Sequence, residues 1–285
     1  VEDDLQGIIP RRSDRRTRLL GILNLTPDSF HDGGVDASVA DTVRRARRLV
    51  EDGADALDLG AESSRPGAAP VPEAEELRRL LPVLEAVVEL GVPVSVDTVK
   101  AGVARRALRG GARIVNDISA LAHDPEMAGV CAESGASVIL MHMRGSPRTM
   151  QTRTDYADVV GEVRAHLERR IEHAVRAGIA ESRILVDPGI GFAKSADQSL
   201  ELLRRLGELR ALGRPVVVGA SRKSFLSRYS GKETEDRLPG TLAVTALAVR
   251  DGADVLRVHD VKENAAAVRT AEALAERRPR VEEPC

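Results

Sequence analysis

Ile184-Leu185-Val186-Asp187-Pro188-Gly189-Ile190-Gly191-Phe192-Ala193-Lys194 is a short apolar run that stops at an acid and passes into a Pro/Gly-rich turn, an aromatic and a lysine. The run has the length and β-branched content of a strand buried on both faces. Proline has no N–H to give to a ladder, so the strand is expected to end at Pro188. Asp187 then stands at the C-terminal mouth of a strand, facing whatever binds there.

The same pattern recurs on either side. Upstream, Leu19-Leu20-Gly21-Ile22-Leu23 ends at Asn24, within an expected strand over Arg18 to Leu25. Asp55-Ala56-Leu57-Asp58-Leu59-Gly60 carries an internal acid. Val92 to Val96 ends at Asp97-Thr98, Arg113-Ile114-Val115 at Asn116-Asp117, and Ser137 to Leu140 at Met141-His142-Met143. Downstream, Val216-Val217-Val218 ends at Gly219-Ala220-Ser221-Arg222-Lys223, and Val255-Leu256 at Arg257-Val258-His259-Asp260. Helical periodicity lies between them, over Asp41 to Asp52, Pro72 to Leu90, Asp155 to Ala177, Ser199 to Leu212 and Gly240 to Arg250. Eight apolar strands alternating with helices in 285 residues is the count of a (β/α)8 TIM barrel with its site at the C-terminal mouth of the strands. A doubly wound open sheet is the alternative, but its edge strands would have no common site for their polar ends.

Residues 1–17 are polar and Arg-rich and read as a solvated lead-in, 18–275 as one barrel domain, and 276–285 as a polar tail. Apolar residues make up 42% and aromatics only 2%, so the core is aliphatic. The net charge of −2 argues for neither a nucleic-acid surface nor a polybasic membrane patch. Cys131 and Cys285 have no metal or framework spacing, which fits a reducing cytoplasm, and no run approaches membrane-spanning length. Lysines are few (Lys100, Lys194, Lys223, Lys232 and Lys262), so a lysine on a strand-end loop stands out.

A barrel would gather Asn24, Asp58, Asp97, Asn116 and Asp187 with Arg65, Lys223, Arg257 and His259 around one mouth. Mixed charges partly offset one another, and the surplus hydrogen-bonding capacity suits a ligand with two ends. One end is a planar heterocycle whose N–H groups meet Asp97, Asp187 and Asn116. The other is an anion such as phosphate, suited to Arg, His and loop hydroxyls. Each residue also has a plainer reading. Asp97-Thr98 could cap the next helix, Asp187-Pro188-Gly189 could be turn chemistry, Asn116 or Asp117 a satisfied loop residue, and His259 a satisfied core histidine. Asp58 could point into the barrel and hold neighbouring backbone, and His142 could be structural. There is no Cys/His cluster for a structural zinc.

Gly21-Ile22-Leu23-Asn24-Leu25-Thr26-Pro27-Asp28-Ser29-Phe30 with Asp32-Gly33-Gly34, and Glu62-Ser63-Ser64-Arg65-Pro66-Gly67-Ala68, resemble the first two signatures of the dihydropteroate synthase family. Ser95-Val96-Asp97-Thr98, Asn116-Asp117-Ile118, Met141-His142-Met143, Asp187-Pro188-Gly189, Ser221-Arg222-Lys223-Ser224 and Arg257-Val258-His259-Asp260 follow in family order, over about residues 18–275. The resemblance implies an alkyl transferase of folate synthesis. It joins p-aminobenzoate to 6-hydroxymethyl-7,8-dihydropterin pyrophosphate by an SN1-like path, with Mg²⁺ as cofactor.

It implies that Asp97, Asn116, Met141, Asp187, Phe192, Gly219, Lys223 and Arg257 hold the pterin. Asn24, Ser63, Arg257 and His259 would hold pyrophosphate, with Asn24 near the metal. Phe30, Ser64, Arg65, Pro66, Lys223 and Ser224 would receive p-aminobenzoate. Asn24, Asp97, Asp187, Lys223, Arg257 and His259 form the implied catalytic set. Family members are usually homodimers, and the small-residue-rich segment Gly240 to Val249 is the candidate contact. Ser64, Ala193 and Ser199 depart from the family's common Thr, Gly and Asn. Two alternatives share the barrel: a pterin-dependent methyl-transfer domain, expected to lack the Ser64-Arg65-Pro66-Gly67 loop and the Lys223, Arg257 and His259 set, and a non-catalytic pterin-binding paralogue, expected to have lost Asn24 or Arg65.

Overall fold

The computed structural model describes residues 16–25, 34–231 and 233–276. Eight parallel strands alternate with helices: β1 (Arg18–Asn24), α1 (Gly34–Glu51), β2 (Ala56–Gly60), α2 (Glu73–Val87), β3 (Val94–Asp97), α3 (Ala101–Arg109), β4 (Ile114–Asp117), α4 (Met127–Ser134), β5 (Ser137–Met141), α5 (Val159–Arg176), β6 (Ile184–Asp187), α6 (Ala196–Arg204), β7 (Val217–Val218), the short α7 (Ser227–Ser230), α8 (Leu238–Arg250), β8 (Val255–Val258) and α9 (Val261–Glu276). The sheet runs β6-β5-β4-β3-β2-β1-β8-β7. Its two ends meet in a single parallel bridge, Val186 to Val216, where the Val186 N–H reaches the Pro215 carbonyl at 3.0 Å. The chain is a TIM barrel.

Side-chain alternation along each strand sorts the residues. Leu20, Ala56, Ile114, Ile139, Leu185, Val217 and Val255 form one cluster inside the barrel. Their strand neighbours Leu19, Leu57, Val115, Val138, Val186, Val218 and Leu256 belong to a second core, between sheet and helices. Gly21 lies on that outer side, and a Cβ there would come within 3.3 Å of both Leu57 and Val261, so a larger residue would push α9 off the sheet.

Three helix starts differ from the sequence reading by three residues or more, among them that of α5, which begins at Val159 rather than Asp155. The helix expected over 41–52 begins at Gly34, and Val39 extends the inward stripe of Val43 one turn back. The helix expected over 199–212 is broken at Arg205, where the backbone leaves helical geometry and a 3₁₀ stretch, Leu206–Leu212, takes over. Its true start is Ala196. Ser195 accepts the Gln198 N–H and Gln198 reaches back to the Ser195 N–H, a capping box legible in the pattern Ser-x-x-Gln. The end of the lead-in is docked rather than solvated. Thr17 is buried, its N–H donates to Glu272 at 2.6 Å and its hydroxyl to the Ala253 carbonyl. Among the described residues, no helix is long and apolar enough to cross a membrane.

Candidate active site at the barrel mouth

The inward positions of the strands turn polar at their C-terminal ends. Strand register sets Asn24 beside Gly60, Gly60 beside Asp97 and Asp97 beside Asn116, one rung across four adjacent strands. Met141 stands beside Asp187 in the same way across β5 and β6. The strand-end residues read from the sequence therefore share one mouth.

Arg257, the inward residue of β8, ties that mouth together. Its Nε donates to Asp58 at 2.6 Å and its Nη2 to Asp97 at 2.9 Å. Asp58 is fully buried and also accepts from the Asn116 amide at 3.1 Å. Asp58 points into the barrel, as one of its two readings expects, but what it holds is not backbone: it holds two side chains, a guanidinium and an amide. It is a positioning residue under the rung.

The β6–β7 side forms the second half. Asp187 accepts the Gly189 N–H at 2.7 Å, which shapes the Asp-Pro-Gly turn. Gly189 has φ +66°, and a Cβ there would collide with the His142 carbonyl, so only glycine fits. Lys223 donates to the Ile190 carbonyl, and its Nζ lies 4.5 Å from the centre of the Phe192 ring. Gly219 lies between Asp187 and Arg257: a Cβ added to it would be 3.7 Å from the Asp187 carboxylate and 3.9 Å from Arg257 Cβ. A side chain at 219 would occupy the mouth.

His259 is oriented by Ser221. The Ser221 hydroxyl accepts the His259 backbone N–H at 3.2 Å and pairs with the ring Nδ1 at 3.0 Å. With the hydroxyl as donor in that second bond, Nε2 carries the ring proton and is the donor left for a ligand. Burial, then Arg257 and Arg222, push the imidazole down to about 3, so it is a neutral donor at pH 7. Ser63 and Ser64 are half-buried, and Arg65 and Pro66 exposed, on the loop after β2. Lys100 fixes the base of that loop, reaching Glu62 and, at 2.6 Å, the buried Glu76, while Arg79 donates to the Ala61 carbonyl at 3.3 Å. The loop's Gly67 N–H reaches the Pro147 carbonyl of the β5 loop at 3.0 Å. Ser224 is exposed just after Lys223. Phe30 lies outside the described residues.

Residues 20–259 match the sequence profile of the pterin binding enzymes. The chain belongs to the pterin-binding enzyme family. It is similar to a dihydropteroate synthase of Synechocystis, with 46% identity over 262 residues that cover 91% of each chain. It superposes on a dihydropteroate synthase of Xanthomonas albilineans solved with 4-aminobenzoic acid, with TM-score 0.85, 44% identity, and 91% and 93% of the two chains covered. Another structure of that enzyme, in complex with 7,8-dihydropteroate, gives TM-score 0.81, 42% identity, and 91% and 94% coverage.

As a pterin-binding enzyme, the chain has a mouth poised near neutrality. Burial raises Asp97 to about 7 despite Arg257, helped by the nearby Asp58 charge. Burial raises Asp187 as well, against Lys223 and the Gly189 N–H. Burial lowers Lys223 to about 8, opposed by Asp187. Burial works against the Arg257 cation too, but Asp58 and Asp97 outweigh it and leave the guanidinium charged.

The residues that face the mouth stand out in the sequence, and of those that orient them Asp58 does too. Ser221 is legible there only as a loop hydroxyl, and Lys100 only as one of five lysines. His142 is structural: buried, facing outward from β5, and 2.9 Å from Lys194 Nζ. Ser199, where the family's Asn is common, still holds the β6 loop, since its hydroxyl accepts the Gly191 N–H at 3.2 Å.

Proposed function

We propose that this chain catalyses the dihydropteroate synthase reaction: dihydropterin pyrophosphate and p-aminobenzoate give dihydropteroate and pyrophosphate. The observation that carries the reading is the joined Asp58–Asp97–Asn116–Arg257 network at the mouth of a pterin-binding barrel that also keeps Lys223 and His259. The pterin's N–H edge lies against Asp97, Asn116 and Asp187, Lys223 meets its acceptor side, and Met141, Phe192 and Gly219 shape the slot for the flat ring. Arg257 faces the ring and the pyrophosphate.

The carbon–oxygen bond between the pterin methylene and pyrophosphate breaks, and the electron pair leaves with the phosphate. The cationic pterin methide lies near the Asp97 and Asp187 carboxylates. The amine nitrogen of p-aminobenzoate then forms the new bond, and its surplus proton passes to the released pyrophosphate or to water. Such a path needs charge stabilisation at both ends more than a strong base. Arg257, the His259 Nε2–H and Ser63 serve the leaving group. Asn24, half-buried at the end of β1, offers a hard amide oxygen of the kind Mg²⁺ accepts beside phosphate oxygens and water. Bound there, the ion would neutralise charge on the pyrophosphate. Phe30, Ser64, Arg65, Pro66 and Ser224 receive p-aminobenzoate, with Lys223 between the two substrates.

The test is pyrophosphate release from 6-hydroxymethyl-7,8-dihydropterin pyrophosphate with Mg²⁺, with and without p-aminobenzoate. Release that depends on p-aminobenzoate, matched by dihydropteroate, supports the reading. Slow release without it supports ionisation before attack. No release with pterin still bound would favour a binding-only paralogue.

The pH profile follows from the mouth. Asp97 must be ionised to accept from the pterin, and its pKa is raised to about 7, so its contribution is lost as pH falls through 7. Lys223 must be protonated, and its pKa is lowered to about 8, so its contribution is lost as pH rises through 8. The kcat/KM for the pterin substrate is expected to be bell-shaped with a narrow top between those values, its limbs reporting the coupled set. A profile flat from pH 6 to 9 would remove Asp97 and Lys223 from the substrate-binding step.

The chain is also proposed to form a homodimer through α8. That helix is apolar nearly all round, with Leu247 50% exposed, and Leu274 of α9 is 67% exposed. A single sedimenting species of monomer mass at micromolar concentration would exclude it.

A further inference from the structure

The loop that follows β6 is wound tightly and held from outside. Gly189, Gly191 and Ala193 alternate at φ +66°, +81° and +51°. Ala193 is buried and is no glycine, so its left-handed backbone is strained and persists because its surroundings impose it. Four consecutive carbonyls in this loop each accept from a side chain. Gly189 takes Lys194 Nζ at 3.0 Å, Ile190 takes Lys223, Gly191 takes the Gln151 amide at 3.1 Å, and Phe192 takes Lys194 Nζ again at 2.8 Å.

Lys194 also crosses to β5, where its Nζ is 2.9 Å from His142 Nδ1 and 3.4 Å from the His142 carbonyl. It is only 3% exposed and, among the described residues, makes no ion pair with a carboxylate. The three protons of an ammonium match the three close acceptors, and His142 Nδ1 accepts because burial pushes that imidazole down to about 2 and keeps it neutral. Burial pushes Lys194 well below its ordinary value, opposed by the Asp187 charge, and its direct partners are the two loop carbonyls and the His142 ring.

In the free enzyme Lys223 is bound to the loop, at the Ile190 carbonyl. Under the function proposed above, on which this inference rests, Lys223 turns from that carbonyl to the pterin. The loop then loses one of its four ties at the moment it must present the Phe192 ring and the Asp187-Pro188-Gly189 turn to the substrate.

We infer that Lys194 is a positioning residue for the pterin site: by clamping Gly189 and Phe192 to His142 it keeps the β6 loop in its receptive shape while Lys223 is engaged with substrate. Lys194 touches no substrate. Its removal therefore weakens pterin binding and leaves the p-aminobenzoate side and the chemical step in place.

The test compares wild type with Lys194→Met, which keeps the chain length and removes the donors. Calorimetry measures the Kd for 6-hydroxymethyl-7,8-dihydropterin pyrophosphate, and steady-state kinetics measure kcat and the KM for p-aminobenzoate at saturating pterin. The expected result is a Kd raised about tenfold or more, the scale of a lost charge-assisted hydrogen bond, with kcat and the p-aminobenzoate KM within about twofold of wild type. An unchanged Kd, or a parallel loss in all three quantities, overturns the inference.

If Lys194→Met does not fold, His142→Leu and His142→Asn decide. The leucine removes an acceptor of Lys194, and the asparagine replaces it with an amide oxygen. Weaker pterin binding in His142→Leu with recovery in His142→Asn supports the clamp, and equal behaviour of the two overturns it. Wild-type protein that fails to bind the pterin pyrophosphate at all would overturn the functional reading instead.

Discussion

Replacing Arg257 with alanine lowers kcat/KM for dihydropterin pyrophosphate by about 10³-fold or more, the largest loss expected of any single side chain at this mouth. Two effects combine. Removing a preorganised donor from a developing charge costs roughly 3–4 kcal/mol. The second is positional: Arg257 bridges Asp58 at 2.6 Å and Asp97 at 2.9 Å, so alanine leaves two buried carboxylates without their shared cation. Breaking a buried pair in this way costs about 3–5 kcal/mol of stability, so Tm falls as well. Arg257→Lys separates the two effects. It keeps one positive charge but not the fork that serves two carboxylates at once. Thermal stability is expected to recover in part, and turnover is not. Full recovery of kcat in the lysine variant would show that charge alone matters and that the bridging geometry does not.

Asp187→Asn is the second large effect, a fall of about 10²–10³-fold in kcat/KM for the pterin substrate with the fold intact. The amide keeps the shape and has an oxygen that can still accept the Gly189 N–H, now made by Asp187 at 2.7 Å. What is lost is the charge that faces the pterin N–H edge and the cation formed from it. Hydrogen bonds to a charged group are worth about 1.5–3 kcal/mol, and stabilisation of the cation adds to that. A second readout comes from Lys223. Asp187 is the charge that raises its pKa against burial, so removing that charge takes the lysine below about 8. The alkaline limb of the pH profile should therefore move to lower pH in Asp187→Asn. A limb that stays in place while activity falls would mean that Lys223 is not the group titrating there.

These two variants probe residues that stood out in the sequence, and the reason is local. Asp97, Asn116, Asp187 and Arg257 each end an apolar run, and a polar group at the end of a buried parallel strand has only the barrel mouth to face. Lys194 was conspicuous in the opening stretch, but its role was not. The carbonyls of Gly189 and Phe192 together with His142, 52 residues away at the end of β5, explain it, and the chain order does not bring His142 to this loop.

The sequence by itself determined the barrel, the end of the barrel that carries the chemistry, and the side chains that line it. Strand length, the continuous apolar run and the polar residue at its end are properties of neighbouring residues. The tertiary structure alone decided which of those side chains meet. Arg257 finds Asp58 across 199 residues and Asp97 across 160, and Ser221 orients His259 across 38. Those pairings depend on the stagger between β8 and β1 and on closure of the barrel at Val186 and Val216. Stagger and closure are set by the packing of all eight strands together, which no single stretch of chain encodes.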